Sequence, residues 1–446
     1  MTTQEKNGIT EGVIWKQLLI FFFPILVGSF FQQLYNTVDS VIVGQFVGKE
    51  ALSSVGGSAG QIISLVVGFF TGVSTGATVI ISQYFGAGKK EKIEESLHTA
   101  YAFALVGGLV LGIAGIVLAP QMLLWMNTPE ELIAESALYV RVYFSGLIFI
   151  YNMGAAILRA VGDSKRPLYY LIVCSVVNII LDLLLILVIP LGVLGAAIAT
   201  LIAQAVSAVL VTVTLMYRTE GMKLCLSQIR MYKRMLQSIL KIGLPAGFEA
   251  IMYSISNIIV QVSINNFGVD TMAAWTAYSK IDFIFWMINS AFGISVMTFV
   301  GQNYGAGKWD RIRRGTKICL GMALISAVSV SIILMSAERF LFGIFVNDAG
   351  VVEIGIRMMN VIAPAYLLFA FIEVFSGALR AQGAVVVSTL ITMVGICVLR
   401  MIWVTLVAAH GTLEQVIICY PITWAAGALA MSIYYIYKQR KIFQAR

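Results

Sequence analysis

Five carboxylates lie inside stretches otherwise almost free of charge: Asp39, Asp182, Glu249, Asp282 and Glu373. An acid kept in apolar surroundings is costly, so each marks either chemistry or a partner. Asn178 precedes Asp182 by one helical turn on the same face. Thr200 stands in the next apolar run. Carboxylate, amide and hydroxyl oxygens together suit a hard cation such as sodium. Two carboxylates in one low-dielectric site can equally hold a shared proton. The competing reading is hydrogen bonding between helices with no ion involved. Gln32, Tyr35 and Asn36 precede Asp39 along a single helical stripe. With Asn152 and Gln204 they are candidates for a cavity that takes amphipathic cations, set against ordinary interhelical packing.

In the second half of the chain, Glu249, Asp282 and Glu373 compete with a structural role, because Arg400 and Lys280 in the same runs need counter-ions. Metal or nucleophilic chemistry has little to draw on. His98 and His410 have no partner at ligand spacing and read as loop or helix-end residues. None of the five cysteines is at CxxC spacing. The sequence predicts no enzyme, no cofactor and no metal beyond a sodium ion at the oxygen cluster.

The elements that must hold these residues are set by composition. The chain has 446 residues, 59% hydrophobic and only 12% charged, with mean hydropathy +0.90. Such a surface is solvated by lipid rather than water. A spanning helix needs about 20 apolar residues. Charge-free gaps and turn signals divide the chain into about twelve spans, near 16–47, 51–83, 95–119, 133–158, 168–189, 192–217, 238–265, 271–301, 315–336, 352–379, 385–409 and 414–437. With the first terminus in the cytoplasm, 24 of the 30 Lys and Arg residues fall on inner loops, inner helix ends or termini, and only Lys49 and Arg339 on outer loops. This asymmetry puts both termini inside and accounts for the net charge of +8 without nucleic acid. Asp39, Asp182 and Thr200 then lie at a common depth, about 10–12 Å below the outer boundary at 1.5 Å per residue. Glu249 and Glu373 lie towards the inner side and Asp282 near mid-span.

The sequence repeats itself. Gln83-Tyr84-Phe85-Gly86-Ala87-Gly88-Lys89 returns as Gln302-Asn303-Tyr304-Gly305-Ala306-Gly307-Lys308. Leu158-Arg159-Ala160-Val161-Gly162 returns as Leu379-Arg380-Ala381-Gln382-Gly383, and Pro24 as Pro245. A duplicated unit of six spans enters the membrane twice from the same side, a repeat architecture of secondary transporters. The expected fold is an all-α integral membrane protein of twelve helices in two six-helix lobes: 1–217, a cytoplasmic linker 218–241, and 242–446.

Twelve spans in a six-plus-six repeat, with GAGK after spans 2 and 8 and LRAxG after spans 4 and 10, resemble the multidrug and toxic compound extrusion (MATE) family. Gln32-Gln33-Leu34-Tyr35-Asn36-Thr37-Val38-Asp39 with Val43-Gly44, Asn178 to Asp182, and Gly195 to Thr200 carry the resemblance further, over about residues 12–437. It implies export of small organic compounds in exchange for a proton or sodium ion, in the cytoplasmic membrane, by a protein working as a monomer without ATP. The cation site of the family's DinF-like branch falls on Asp39, Asn178, Asp182 and Thr200, which favours that branch. Another branch places coupling acids in spans 7, 8 and 10, but Phe369 stands near the position of its span-10 acid.

The GAGK strings are not phosphate-binding loops, which need four residues between their glycines and a Ser or Thr after the Lys. Gly72/Gly76, Gly56/Gly60 and Gly108/Gly112 read as close helix packing. The nearest rival function is a lipid-linked oligosaccharide flippase of the same superfamily. A membrane-embedded enzyme lacks a nucleophile–base pair. A channel or receptor would have less use for a duplicated lobe bearing buried acids.

Overall fold

The computed structural model describes residues 9–144, 147–217, 222–407 and 411–444, and they contain helices and no strand. His410, Arg218 and Glu220 lie outside the described residues. Among the described residues, eleven helices are long and apolar enough to span a membrane: α1 (Ile14–Phe46), α2 (Lys49–Gly86), α3 (Lys90–Trp125), α5 (Lys165–Val188), α6 (Gly192–Tyr217), α7 (Lys233–Asn265), α8 (Val269–Gly305), α9 (Trp309–Ser336), α10 (Ala349–Ala381), α11 (Val385–Val407) and α12 (Leu413–Ile442). The fourth span, α4, is a bent pair, Glu130–Tyr143 and Leu147–Ala160, meeting at 41°. Together they make twelve, where the spacing of turn signals puts them.

The repeated motifs are helix stops. Gly88 and Gly307 both adopt positive φ, 67° and 69°. After each helix the chain folds back in the same way: Gly88 N–H donates to Phe85 O and Lys89 N–H to Tyr84 O, as Gly307 does to Tyr304 O and Lys308 to Asn303 O. Gly162 and Gly383, at φ 95° and 78°, end α4 and α10 with matching bonds. A left-handed residue just past the helix lets the next N–H groups satisfy its last carbonyls, and only glycine does this without steric cost. GAGK and LRAxG are therefore structural punctuation.

The chain forms two compact units, Phe23–Gly247, and Met1–Phe22 with Phe248–Arg446, dividing inside α1 beside Pro24 and inside α7 beside Pro245. In the unit Phe23–Gly247, α5 packs along α6, and α2 along the second half of α4. Small residues allow one very close approach. A β-carbon on Gly76 would lie 2.2 Å from Ile239 O, one on Gly72 2.6 Å from Ala246 O, and one on Gly243 2.5 Å from Val73 O. The Gly72/Gly76 pair is thus the close-packing site that its spacing suggests. Gly56 meets nothing within 4 Å, and Gly60 only the Val55 carbonyl one turn back. Gly76→Leu is therefore expected to cost more than the ~1–3 kcal/mol of ordinary overpacking, whereas Gly56→Leu leaves the protein intact. Size-exclusion profiles of the two variants in detergent check this: a monodisperse Gly76→Leu protein at normal yield contradicts the packing.

The stretch before α7 is pinned to α3. Cys225 N–H donates to His98 Nε2 at 3.0 Å, so the other ring nitrogen, Nδ1, carries the proton and donates to Glu94 O at 2.8 Å. Tyr232 N–H donates to Thr99 Oγ1. His98 is thus a buried helix-end residue with both nitrogens engaged. In the other unit the stretch before α1 is held similarly: Arg311 donates to the carbonyls of Ile9, Glu11 and Gly12, and Lys308 to that of Thr10. In that unit α8 and α10 are the most enclosed spans and pack against each other, with α9 and α12 against α10.

Candidate functional site

The Asp39 and Asp182 carboxyl groups come together in the unit Phe23–Gly247, close enough to interact directly. Both are buried, at 7% and 0% exposure, as are Asn178, Thr200 and Gln204. Asp39 Oδ1, both Asp182 oxygens, both Asn178 amide atoms and both Gln204 amide atoms are buried without a hydrogen-bond partner. Leaving one such atom unpaired costs about 1–3 kcal/mol. Seven orphaned polar atoms in one helical unit are therefore not explained by helix–helix hydrogen bonding. The Asp39, Asp182, Asn178 and Thr200 donors are two carboxylates, an amide oxygen and a hydroxyl, which fit a sodium ion or a proton with its hydrogen-bond acceptors.

Local sequence explains how the side chains arrive. Asn178 and Asp182 share one face of α5, and Thr200 and Gln204 one face of α6, the helix packed beside it. Immediately after Asp182 the helix widens into a π turn, Leu183–Val188, closed by Ile189 N–H to Leu184 O. Such turns widen a helix by one residue and concentrate at functional sites. The sequence carries no signal for it.

Two residues that sequence reasoning passed over belong here. Tyr139 interacts with Asp39, Asp182 and Thr200, and Tyr143 with Asp39 and Gln204. Their rings are 6.0 Å apart, one turn from each other on α4. The i, i+4 tyrosine pair was visible in the sequence, but tyrosine in an apolar helix usually reads as core. Tyr35 joins the same group through Tyr139, Tyr143 and Asp39. Of the other cavity candidates, Asn36 is exposed, while Gln32 and Asn152 are half-buried.

In the other unit Glu249 and Glu373 both lie near Arg380 and near each other, while Asp282 has different partners. Glu249 Oε1 pairs with Arg380 Nη2 at 2.6 Å, both side chains largely buried. Asp282 accepts from the Tyr366 hydroxyl and from Trp286 Nε1 at 2.6 Å. Glu373 lies against the backbone of Gly293, where a β-carbon would meet its Oε1. The two basic residues expected to need these acids find other surroundings: Arg400 donates to Asn257 and Lys280 is exposed. Phe369 packs between Trp286 and Trp424. Among the described residues no group of three or more His, Cys, Asp or Glu could hold a metal ion.

Comparison with known proteins bears on the whole chain. The MatE family model matches twice, over residues 24–184 and 245–406, so the two matches begin at Pro24 and Pro245. The probable multidrug resistance protein YoeA of Bacillus subtilis is 28% identical, covering 99% of this chain and 97% of its own. The probable multidrug resistance protein YpnP of the same organism is 29% identical, covering 97% and 98%. The fold is that of a solved outward-facing multidrug resistance MATE family transporter, at TM-score 0.91 and 21% identity over 100% of both chains.

Proposed function

This chain belongs to the MatE family of multi-pass membrane transporters of small organic compounds, and from that premise we propose that it is a secondary antiporter. It exports organic cations and amphiphiles in exchange for H+ or Na+ by alternating access, in the cytoplasmic membrane, as a monomer and without ATP. Its lobes are residues 1–217 and 242–446, joined by a cytoplasmic linker, 218–241. The observation that carries the coupling is the set of orphaned oxygens around Asp39 and Asp182.

Asp39 and Asp182 take the incoming ion, with Asn178 and Thr200 completing its oxygen shell. This assignment favours the DinF-like branch. Tyr139 and Tyr143 position the acids and close the shell from α4. When the ion arrives it neutralises the carboxylates and supplies the partner that the orphaned oxygens lack. Gln32, Tyr35, Asn36, Asn152 and Gln204 offer amide and phenol groups to the cargo. One elementary charge crossing 100 mV supplies about 2.3 kcal/mol, enough for about 50-fold accumulation. Glu249, Asp282 and Glu373 serve the architecture of the second lobe rather than the ion.

Proteoliposomes with separately imposed proton and sodium gradients test the coupling. A cationic dye moves against its gradient only when one of the two ions moves with its own; equal movement without either gradient refutes antiport. Orientation has its own check. In a background without the native cysteines, a cysteine at Met231 reacts with an impermeant thiol reagent only from the cytoplasm, and one at Pro129 only from outside. Reversed labelling would invert the topology and remove the depth argument for the ion site.

A further inference from the structure

We propose that the unit containing α8–α12 holds a second binding site, centred on Arg400, which recognises the anionic group of an aromatic carboxylate. Arg400 is fully buried, in a membrane-spanning helix, and no carboxylate among the described residues pairs with it. Its Nη1 donates to Asn257 Oδ1 at 2.9 Å. Its Nε and Nη2 are buried with no acceptor. A guanidinium does not shed its charge in a protein, and a charge in the bilayer interior costs at least about 2.5–3.5 kcal/mol. The surroundings offset part of this cost. The guanidinium carbon lies 4.3 Å from the ring centre of Tyr420 and 5.5 Å from that of Tyr253, both within cation–π range. Neither contact supplies the acceptors that Nε and Nη2 lack. The Tyr253 hydroxyl lies near the guanidinium but outside hydrogen-bond geometry.

A second donor faces the same problem. Trp424 is fully buried and its Nε1 has no acceptor. Its ring is 5.5 Å from that of Tyr420, which covers Arg400, and 6.0 Å from Trp286. Phe369 closes the wall at 5.5 Å from Trp424. Asp282 makes no ion pair with the arginine; its two oxygens take the Tyr366 hydroxyl and Trp286 Nε1 instead. The site thus offers two guanidinium N–H groups and an indole N–H, walled by aromatic rings. Paired N–H donors on a planar cation match a carboxylate, and the rings match a flat apolar body.

The backbone gives the site room to open. Arg400 stands in the single α turn Leu399–Ile402 of α11, between two π turns, Met393–Val398 and Trp403–Val407. Two irregular turns flanking one residue are what a helix needs if that residue is to move against its neighbours. The second π turn falls at the position in the repeat of the one after Asp182 in α5. The two units therefore carry opposite charge within a turn of the same repeat position: a carboxylate pair in one, a lone guanidinium in the other. Cargo that bears both an aromatic body and a carboxylate, zwitterions included, fits this arrangement. The cargo assignment rests on the export reading, whereas the binding site does not.

Calorimetric titration of the purified protein in detergent, with no ion gradient, tests the site separately from transport. The probes are 1-naphthoate and uncharged 1-naphthalenemethanol. Wild type binds naphthoate saturably. Arg400→Met weakens naphthoate about 10- to 100-fold, the range for losing hydrogen bonds to a charged group, and leaves naphthalenemethanol unchanged. Trp424→Phe keeps a ring and removes the indole donor, so it weakens naphthoate alone by about 5-fold, and it decides the matter if Arg400→Met does not accumulate. Wild type that fails to bind naphthoate overturns the proposal. So does Arg400→Met binding it unchanged, or Trp424→Phe that weakens both probes equally or neither.

Discussion

Asp39→Asn and Asp182→Asn each abolish ion-driven dye efflux at normal abundance, and the double variant is no worse than either single. The expectation follows from how the carboxyl groups are held. They interact directly with each other, and three of their four oxygens are buried without a partner. On the proposed coupling an incoming ion completes them, so removing either carboxylate would remove that site. Residues that act as one unit are non-additive. Asparagine keeps the size of the side chain and deletes its charge, so the protein still folds and inserts. Loss of about two orders of magnitude in gradient-driven rate corresponds to about 2.7 kcal/mol, comparable with the driving force of a single charge at 100 mV. Dye efflux normalised to protein in the membrane is the measurement. Wild-type rates in well-expressed Asp182→Asn, with Glu373→Gln inactive, would move the coupling site to the other unit.

The sequence carried the twelve spans because apolar length and charge-free gaps are direct consequences of a lipid solvent. It carried the duplication because GAGK and LRAxG are set by backbone geometry: the glycines at 88, 162, 307 and 383 all need positive φ, and such positions resist replacement. Asp39 and Asp182 stood out because an acid in an apolar helix is costly in any context. What escaped had no such cost signature. Tyr139 and Tyr143 look like core residues until α4 turns them towards the acids. The π turn after Asp182 has no compositional mark. For Arg400, charge balance predicts an acid as its partner; the fold instead gives it one amide and two aromatic faces. Partners far apart in sequence, such as Glu249 and Arg380, were beyond reach because helix periodicity reports the face of a residue and not its neighbour across the bundle.

That last pair carries the other large expected effect. Glu249→Gln destabilises the protein by up to about 3–5 kcal/mol, because it takes from the buried Arg380 guanidinium the carboxylate bonded to it and leaves Glu373 as its nearby counter-charge. The pair is short, 2.6 Å, and both side chains are mostly enclosed. Glutamine keeps an acceptor oxygen but loses the charge, Arg380 Nε is already a buried donor with no acceptor, and Glu373 is then the acid left beside Arg380. The pair is also local to its unit. At the repeat offset Glu249 corresponds to Gly28, which packs against the Leu171 side chain, so the duplication did not require an acid there. A structural pair and a coupling acid predict different results. For a structural pair, the Glu249→Gln protein loses thermal stability and abundance while efflux per folded molecule stays near wild type. Replacing both members with apolar residues of similar size, Glu249→Leu with Arg380→Met, restores part of the lost stability, since neither member of the pair is left unpaired, while Glu373 loses its neighbouring arginine. The double-mutant cycle, read as thermal inactivation in detergent beside dye efflux per folded molecule, separates the cases. Were Glu249→Gln as stable as wild type yet silent in efflux, Glu249 would belong to the ion pathway, and the second unit would share in coupling.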